Sequence, residues 1–156
     1  MAELVHIEGL GDILKTLERL PPEIVSKRGG PVRVALRKAA VVVQKEAQAN
    51  VDRLVAEGDT SESTGLLRKS VIVSRKKPGN FKGERFWVRI KRSAKNAAGQ
   101  TANTYGGVLE FGDERIPAKA WMRKAWESKK GEALDTFMRE IPRAIDAAVK
   151  RARRGR

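Results

Sequence analysis

The sequence contains no cysteine and one histidine, His6. Without thiols there is neither a disulfide framework nor a thiolate zinc site, so nothing in the chain requires an oxidising compartment. His6 has no second histidine or cysteine to join it in a metal centre or a nucleophilic pair, and it reads as structural or solvent-facing. Gly9-Leu10-Gly11-Asp12 lacks the lysine and spacing of a phosphate loop. No catalytic residue, metal site or cofactor is expected. Aromatic residues make up only 5% of the chain, which is thin for a protein that stacks bases. No apolar run approaches the roughly 20 residues of a membrane span, and no cationic segment followed by an apolar run opens the sequence. These absences point to a soluble intracellular protein without a membrane partner and without enzymatic turnover.

What the chain has in excess is positive charge, and the placement of that charge is uneven. The formal net charge is +14. Residues 1–67 and 96–149 are nearly balanced, whereas 68–95 carry eleven basic and one acidic side chain, and 150–156 carry five basic and none acidic. Clustered charge of one sign suits a polyanion or an acidic protein surface, because focused potential and counterion release act where like charges gather.

At 156 residues the chain is one domain by size. Residues 1–149 are expected to form a single α+β domain, followed by a basic tail at 150–156. Leu4-Val5-His6-Ile7 reads as a short strand or an arm. Asp12 can cap a first helix carrying Leu14, Leu17 and Leu20, which Pro21-Pro22 ends. After Gly29-Gly30, Pro31 suits the first position of a longer helix with Val32, Leu36, Ala39, Val43, Ala47, Val51 and Leu54 on one stripe. Ala35, Ala40 and Val42 widen that stripe enough to pack on a sheet and also touch a neighbour. A polar loop from Gly58 to Thr64 leads into strands. Val71 and Val73 alternate with Ile72 and Ser74, and Pro78-Gly79-Asn80 interrupts. In the next strand Phe86, Val88 and Ile90 face the core, while Arg85, Trp87, Arg89 and Lys91 face away. Residues 93–104 read as a long hairpin loop. Tyr105 to Phe111 then reads as strand, Gly112 as a turn, and a final helix begins near Lys119 that Pro142 kinks or restarts. The expected fold is an antiparallel sheet of three or four strands packed by N-terminal helices, a long central helix and a C-terminal helix.

Three motifs carry a resemblance. Thr64-Gly65-Leu66-Leu67-Arg68-Lys69-Ser70-Val71, read as a strand, is followed by Tyr105-Gly106-Gly107-Val108-Leu109-Glu110-Phe111-Gly112 and by Ala118-Lys119-Ala120-Trp121-Met122-Arg123-Lys124-Ala125. In this order they resemble the HK97 gp10-like head-tail joining proteins of tailed bacteriophages, with Ala120, Trp121 and Lys124 where the family pattern has Pro, Phe and Pro. The resemblance covers roughly residues 10 to 140. It implies a structural subunit of a phage neck ring, made in the bacterial cytoplasm and carried in the virion at the head-tail junction. It would act in head-tail joining or tail completion. The implied partners are further copies of itself in a cyclic hexamer or dodecamer, adjacent adaptor, head-closure, tail-terminator or tail-tube proteins, and packaged DNA in the channel.

Trp87, Glu110, Phe111, Trp121 and Trp126 are the candidate interface residues, since aromatics and paired charges anchor interfaces. Phe111 and Trp121 fit core packing as well. Glu110 lacks a partner carboxylate for acid-base work and is expected to pair with Arg115, Arg123 or a neighbouring subunit. Arg85, Arg89, Lys91, Arg151, Arg153 and Arg154 are the candidates for a polyanion or an acidic partner. The competing reading is a basic nucleic-acid-binding protein using the 85–92 strand face and the C-terminal tail.

Overall fold

The computed structural model describes residues 10–19, 30–56, 63–76, 84–96, 99 and 101–154. In order these form α1 (Leu10–Arg19), α2 (Pro31–Ala56), α3 (Ser63–Ser70), β1 (Val71–Lys76), β2 (Arg85–Ile90), α4 (Ala102–Phe111) and α5 (Trp121–Arg154). The expected features at Leu4–Ile7, Pro21-Pro22 and Pro78–Asn80 lie outside the described residues, as does His6.

The frame is the pair of long helices. Pro31 opens α2, where its missing N–H costs nothing. Ala35, Ala39, Val43, Ala47, Val51 and Leu54 recur every three or four positions and are all buried. Ala47 and Val51 share a cluster with Trp121 and Ala125, Ala39 and Val43 with Ala133, and Ala35 with Ile141 and Ile145. Rising positions on α2 meet falling positions on α5, so the two helices run antiparallel. The alanines let the backbones approach closely. Each fully buried Val51, Leu67, Leu109 and Ile141 side chain contributes roughly 1.5–3 kcal/mol by leaving water.

The fold is α+β, with a sheet of two antiparallel strands among the described residues rather than three or four. Val71 pairs with Ile90 and Lys76 with Arg85 at the ends of the ladder. The alternation expected for β2 holds: Val88 and Ile90 pack on the main cluster, and Arg85 and Trp87 are exposed.

Both motifs expected to be strands are helices. Residues 63–70 form α3, which runs directly into β1 with the Ser70 hydroxyl donating to the Leu66 carbonyl at 2.6 Å. Residues 102–111 form α4, so the loop after β2 ends at Thr101, whose side chain accepts from the Thr104 N–H and caps the helix. Ala102, Gly106, Leu109 and Glu110 are its buried positions, at helical spacing. A Cβ on Gly106 would collide with the Ile90 and Leu67 side chains, so α4 lies unusually close to its neighbours. Helical winding also explains Phe111. At about 100° per residue it stands some 200° from Leu109, on the opposite side of α4, and it is 75% exposed.

Two smaller expectations also change. Asp12 lies inside α1 rather than capping it, with its carbonyl accepting from the Thr16 hydroxyl. The last helix starts at Trp121 and passes through Pro142 without a restart, since the ring faces solvent and removes only one backbone donor. It continues to Arg154, so the basic residues from Lys150 to Arg154 belong to its final turns.

Candidate interface surfaces

The corner between α4 and α5 fixes several of the singled-out residues. Glu110 is buried, and its two carboxylate oxygens accept from the N–H groups of Met122 at 2.8 Å and Arg123 at 3.2 Å. A carboxylate is favoured there because the first turn of a helix presents unpaired N–H groups and a positive dipole end. The Arg123 side chain adds an ion pair at 3.5 Å, one of the partners expected for Glu110. Both oxygens are thus engaged within the chain. The Leu109 carbonyl accepts from Lys119 and Ala120, at 2.8 and 3.2 Å. Trp121 is only 2% exposed. Its indole N–H donates to the Gly106 carbonyl at 3.0 Å, and its own carbonyl accepts from Asn50 at 2.8 Å. Trp121 is therefore a core residue that locks α4 to α5 and α2.

The turn that follows α4 is exposed and braced by its own hydrogen bonds. Gly112 has φ +78°, and a Cβ there would press on the backbone of Ile116 and Ala118, so no other residue fits. The Gly112 N–H donates to Val108 at 2.7 Å and the Asp113 N–H to Ile116 at 2.9 Å. The Asp113 carboxylate accepts from the N–H groups of Arg115 and Ile116, at 2.9 and 2.7 Å. Phe111 and Ile116 are held in solvent by this frame.

A second apolar surface is concave. A groove of about 700 Å³ runs between α2, β2 and α5, with Leu36, Ala40, Phe86, Met122 and Phe137 among its lining residues. Trp87 and Trp126, 47% and 52% exposed, line it as well. The structure thus brings these two tryptophans together and leaves Phe111 outside the groove. The Lys76 ammonium sits 4.6 Å from the Trp87 ring centre, a cation–π contact. The groove was half legible in the sequence, since Ala40 is one of the residues that widen the α2 stripe. The contributions of Phe86, Met122 and Phe137 had no separate signal.

The cationic hairpin is organised by its one acid. Glu84 accepts twice from Arg75, at 2.7 Å each, and once from Arg33 at 3.2 Å. Hydrogen bonding from Arg75, opposed by burial and reinforced by Arg33, holds the Glu84 carboxyl below the usual carboxylate range. This three-residue link ties the sheet to the start of α2. Sequence reading passed over Glu84, although a lone acid among eleven bases marks it. Arg89 donates to the Ser74 hydroxyl at 2.7 Å, Arg85 lines the groove, and Lys91 is exposed just beyond β2. Arg151, Arg153 and Arg154 are exposed on the last turns of α5. Among the described residues no cluster of histidine or carboxylate side chains could hold a metal ion. No described helix is long and apolar enough to cross a membrane.

Residues 11–112 match the family model HK97-gp10_like, described as "Bacteriophage HK97-gp10, putative tail-component". The matched stretch runs from α1 to the Gly112 turn and leaves α5 outside it. No curated protein and no solved structure matches the chain. With about two thirds of its length matched, the chain belongs to the HK97-gp10-like family of bacteriophage tail components, and its role is a structural one in the virion among other phage proteins.

Proposed function

We infer that this protein is a ring-forming subunit of the phage neck, acting in head-tail joining or tail completion. The observation that carries this reading is the set of large aromatics left outside a core that closes without them: Trp87, Trp126 and Phe111 are about half exposed or more. Exposed aromatics on rigid supports are the anchors that interfaces use. A head-to-tail contact between unlike surfaces repeats around an axis and closes when its rotation divides a full turn. A hexamer or dodecamer of this kind would present the cationic hairpin and the end of α5 to its neighbours. Those neighbours are adaptor, head-closure, tail-terminator or tail-tube proteins, with DNA passing through the channel.

The nucleic-acid-binding alternative has less support. Lys76 already occupies the Trp87 ring and Arg89 is engaged by Ser74, which removes much of the stacking face that single-strand binding needs.

Mass spectrometry of purified virions, together with sedimentation and electron microscopy of the protein alone and with adjoining neck proteins, tests the reading. A ring and a virion-associated chain are expected. A strictly monomeric protein that is also missing from mature virions would sink it.

A further inference from the structure

We propose that the groove between α2, β2 and α5 receives the Phe111–Ile116 turn of a second copy of this chain, a contact that rests on the ring reading above. The two surfaces fit in shape and in chemistry. One is a concave apolar channel of about 700 Å³. The other is an exposed turn that carries the Phe111 and Ile116 side chains and projects their apolar surface into solvent.

The turn cannot serve its own groove. Glu110, one residue before Phe111, is bonded to the first turn of α5. Phe111 itself lies beside the Arg123 guanidinium, 6.0 Å from its ring centre. Met122 and Trp126 line the groove, whereas Arg123 and Phe111 do not. The frame of Gly112 and Asp113 leaves no slack between these points. A preorganised projection also loses little conformational freedom on docking, so most of its buried apolar surface counts toward affinity.

Charge selects the same occupant. The turn carries Asp113 and Glu114 against one base, Arg115. The groove is flanked by Lys130 and Arg85, with Lys76 beside Trp87. Its lining acid, Glu84, is already neutralised by Arg75 and Arg33, and Lys130 pairs with Glu127 along an exposed helix face where exchange is cheap. A weakly acidic projection therefore meets a basic rim. Because projection and groove are different surfaces, a pair joined by a single contact still has one of each unsatisfied. Such a contact propagates around a ring instead of ending at a dimer.

The absence of cysteine makes the test direct. Full-length Glu114→Cys and Lys130→Cys variants are prepared separately, mixed, and treated with a short thiol-reactive cross-linker under conditions in which the wild type assembles. The expected product is a dimer linking position 114 of one copy to position 130 of another, identified by peptide mass spectrometry. Adding Phe111→Ala to the Glu114→Cys variant should lower its yield at least tenfold, with an unchanged circular dichroism spectrum because Phe111 is exposed. If the wild type forms rings but the 114–130 product is absent, or Phe111→Ala leaves its yield intact, the contact is wrong and the ring reading survives. Products linking 114 to 114, or position 130 to a different phage protein, also overturn the contact. A wild type that stays monomeric with its neighbours present overturns both.

Discussion

The indole N–H of Trp121 donates to the carbonyl of Gly106 at 3.0 Å, joining the first residue of α5 to the middle of α4. The bond is possible because Gly106 has no side chain at a point where Ile90 and Leu67 already crowd the helix. Trp121→Ala should destabilise the protein by about 3–5 kcal/mol through the cavity and the orphaned carbonyl. Gly106→Ala should cost about 1–3 kcal/mol by overpacking. Urea denaturation measures both. Trp121→Ala with unchanged stability but failed assembly would move Trp121 from core to interface.

Glu110 tests the same corner by charge. Its carboxylate caps α5 and is buried, whereas its ion-pair partner Arg123 is exposed. Glu110→Ala should cost about 1–2 kcal/mol, typical of a lost cap in a partly buried site. Arg123→Ala should cost under about 1 kcal/mol, since exposed pairs contribute little. Thermal melts of the two variants decide it, and equal losses would mean that the ion pair matters more than the cap.

These elements differ in how far the sequence disclosed them. The α2 stripe and the β2 alternation are legible because each buries one regular face, and periodicity survives whatever packs on it. The segment from Tyr105 to Phe111 is not. Two glycines disfavour helix, and a valine and two aromatics favour extended chain locally; the helix exists because Thr101 caps it, Gly106 permits close packing and Trp121 bonds its carbonyl. Of these, Trp121 and the Ile90 and Leu67 side chains that crowd Gly106 lie on other elements. The Ser63–Ser70 helix was missed for the same reason: its polar, glycine-containing start looks like a loop until Leu67 is seen packed beneath α4. The aromatics divide likewise. Nothing local separates the buried Trp121 from the exposed Trp126 five residues on, because only the position of α2 and α4 around α5 decides which face is covered.

Acid should loosen the hairpin before the core. The Glu84 carboxyl is held below its ordinary value chiefly by Arg75. A carboxyl depressed in the folded state contributes stability that is present above the unfolded value, about 4.3, and is lost as pH falls through the folded value. Wild type should therefore exceed Glu84→Gln in urea midpoint at pH 7, and the gap should shrink below about pH 4. A gap independent of pH would mean that the Arg33–Glu84–Arg75 link does not act through its charge.

The cationic face of β2 gives the remaining prediction. Arg85 and Arg89 lie on the strand face away from the core, and Lys91 is exposed just past its end. Same-sign neighbours on one face repel, and a negative partner would relieve that repulsion. Under the proposed neck-ring function that partner is an acidic surface on an adjoining ring rather than DNA, because a channel must let DNA slide rather than grip it. Reversing all three to Glu should leave stability within about 1 kcal/mol, as these are surface positions. Position 85 would then face Lys76 across the ladder, and position 89 would exchange its bond to Ser74 for one that the hydroxyl donates. Heads and tails should accumulate unjoined in cells complemented with this variant. Binding of duplex DNA by the wild type should be weak and steeply salt-dependent. Tight duplex binding that the reversal abolishes would assign the face to DNA, and normal infectious particles from the variant would reduce it to a solvated surface.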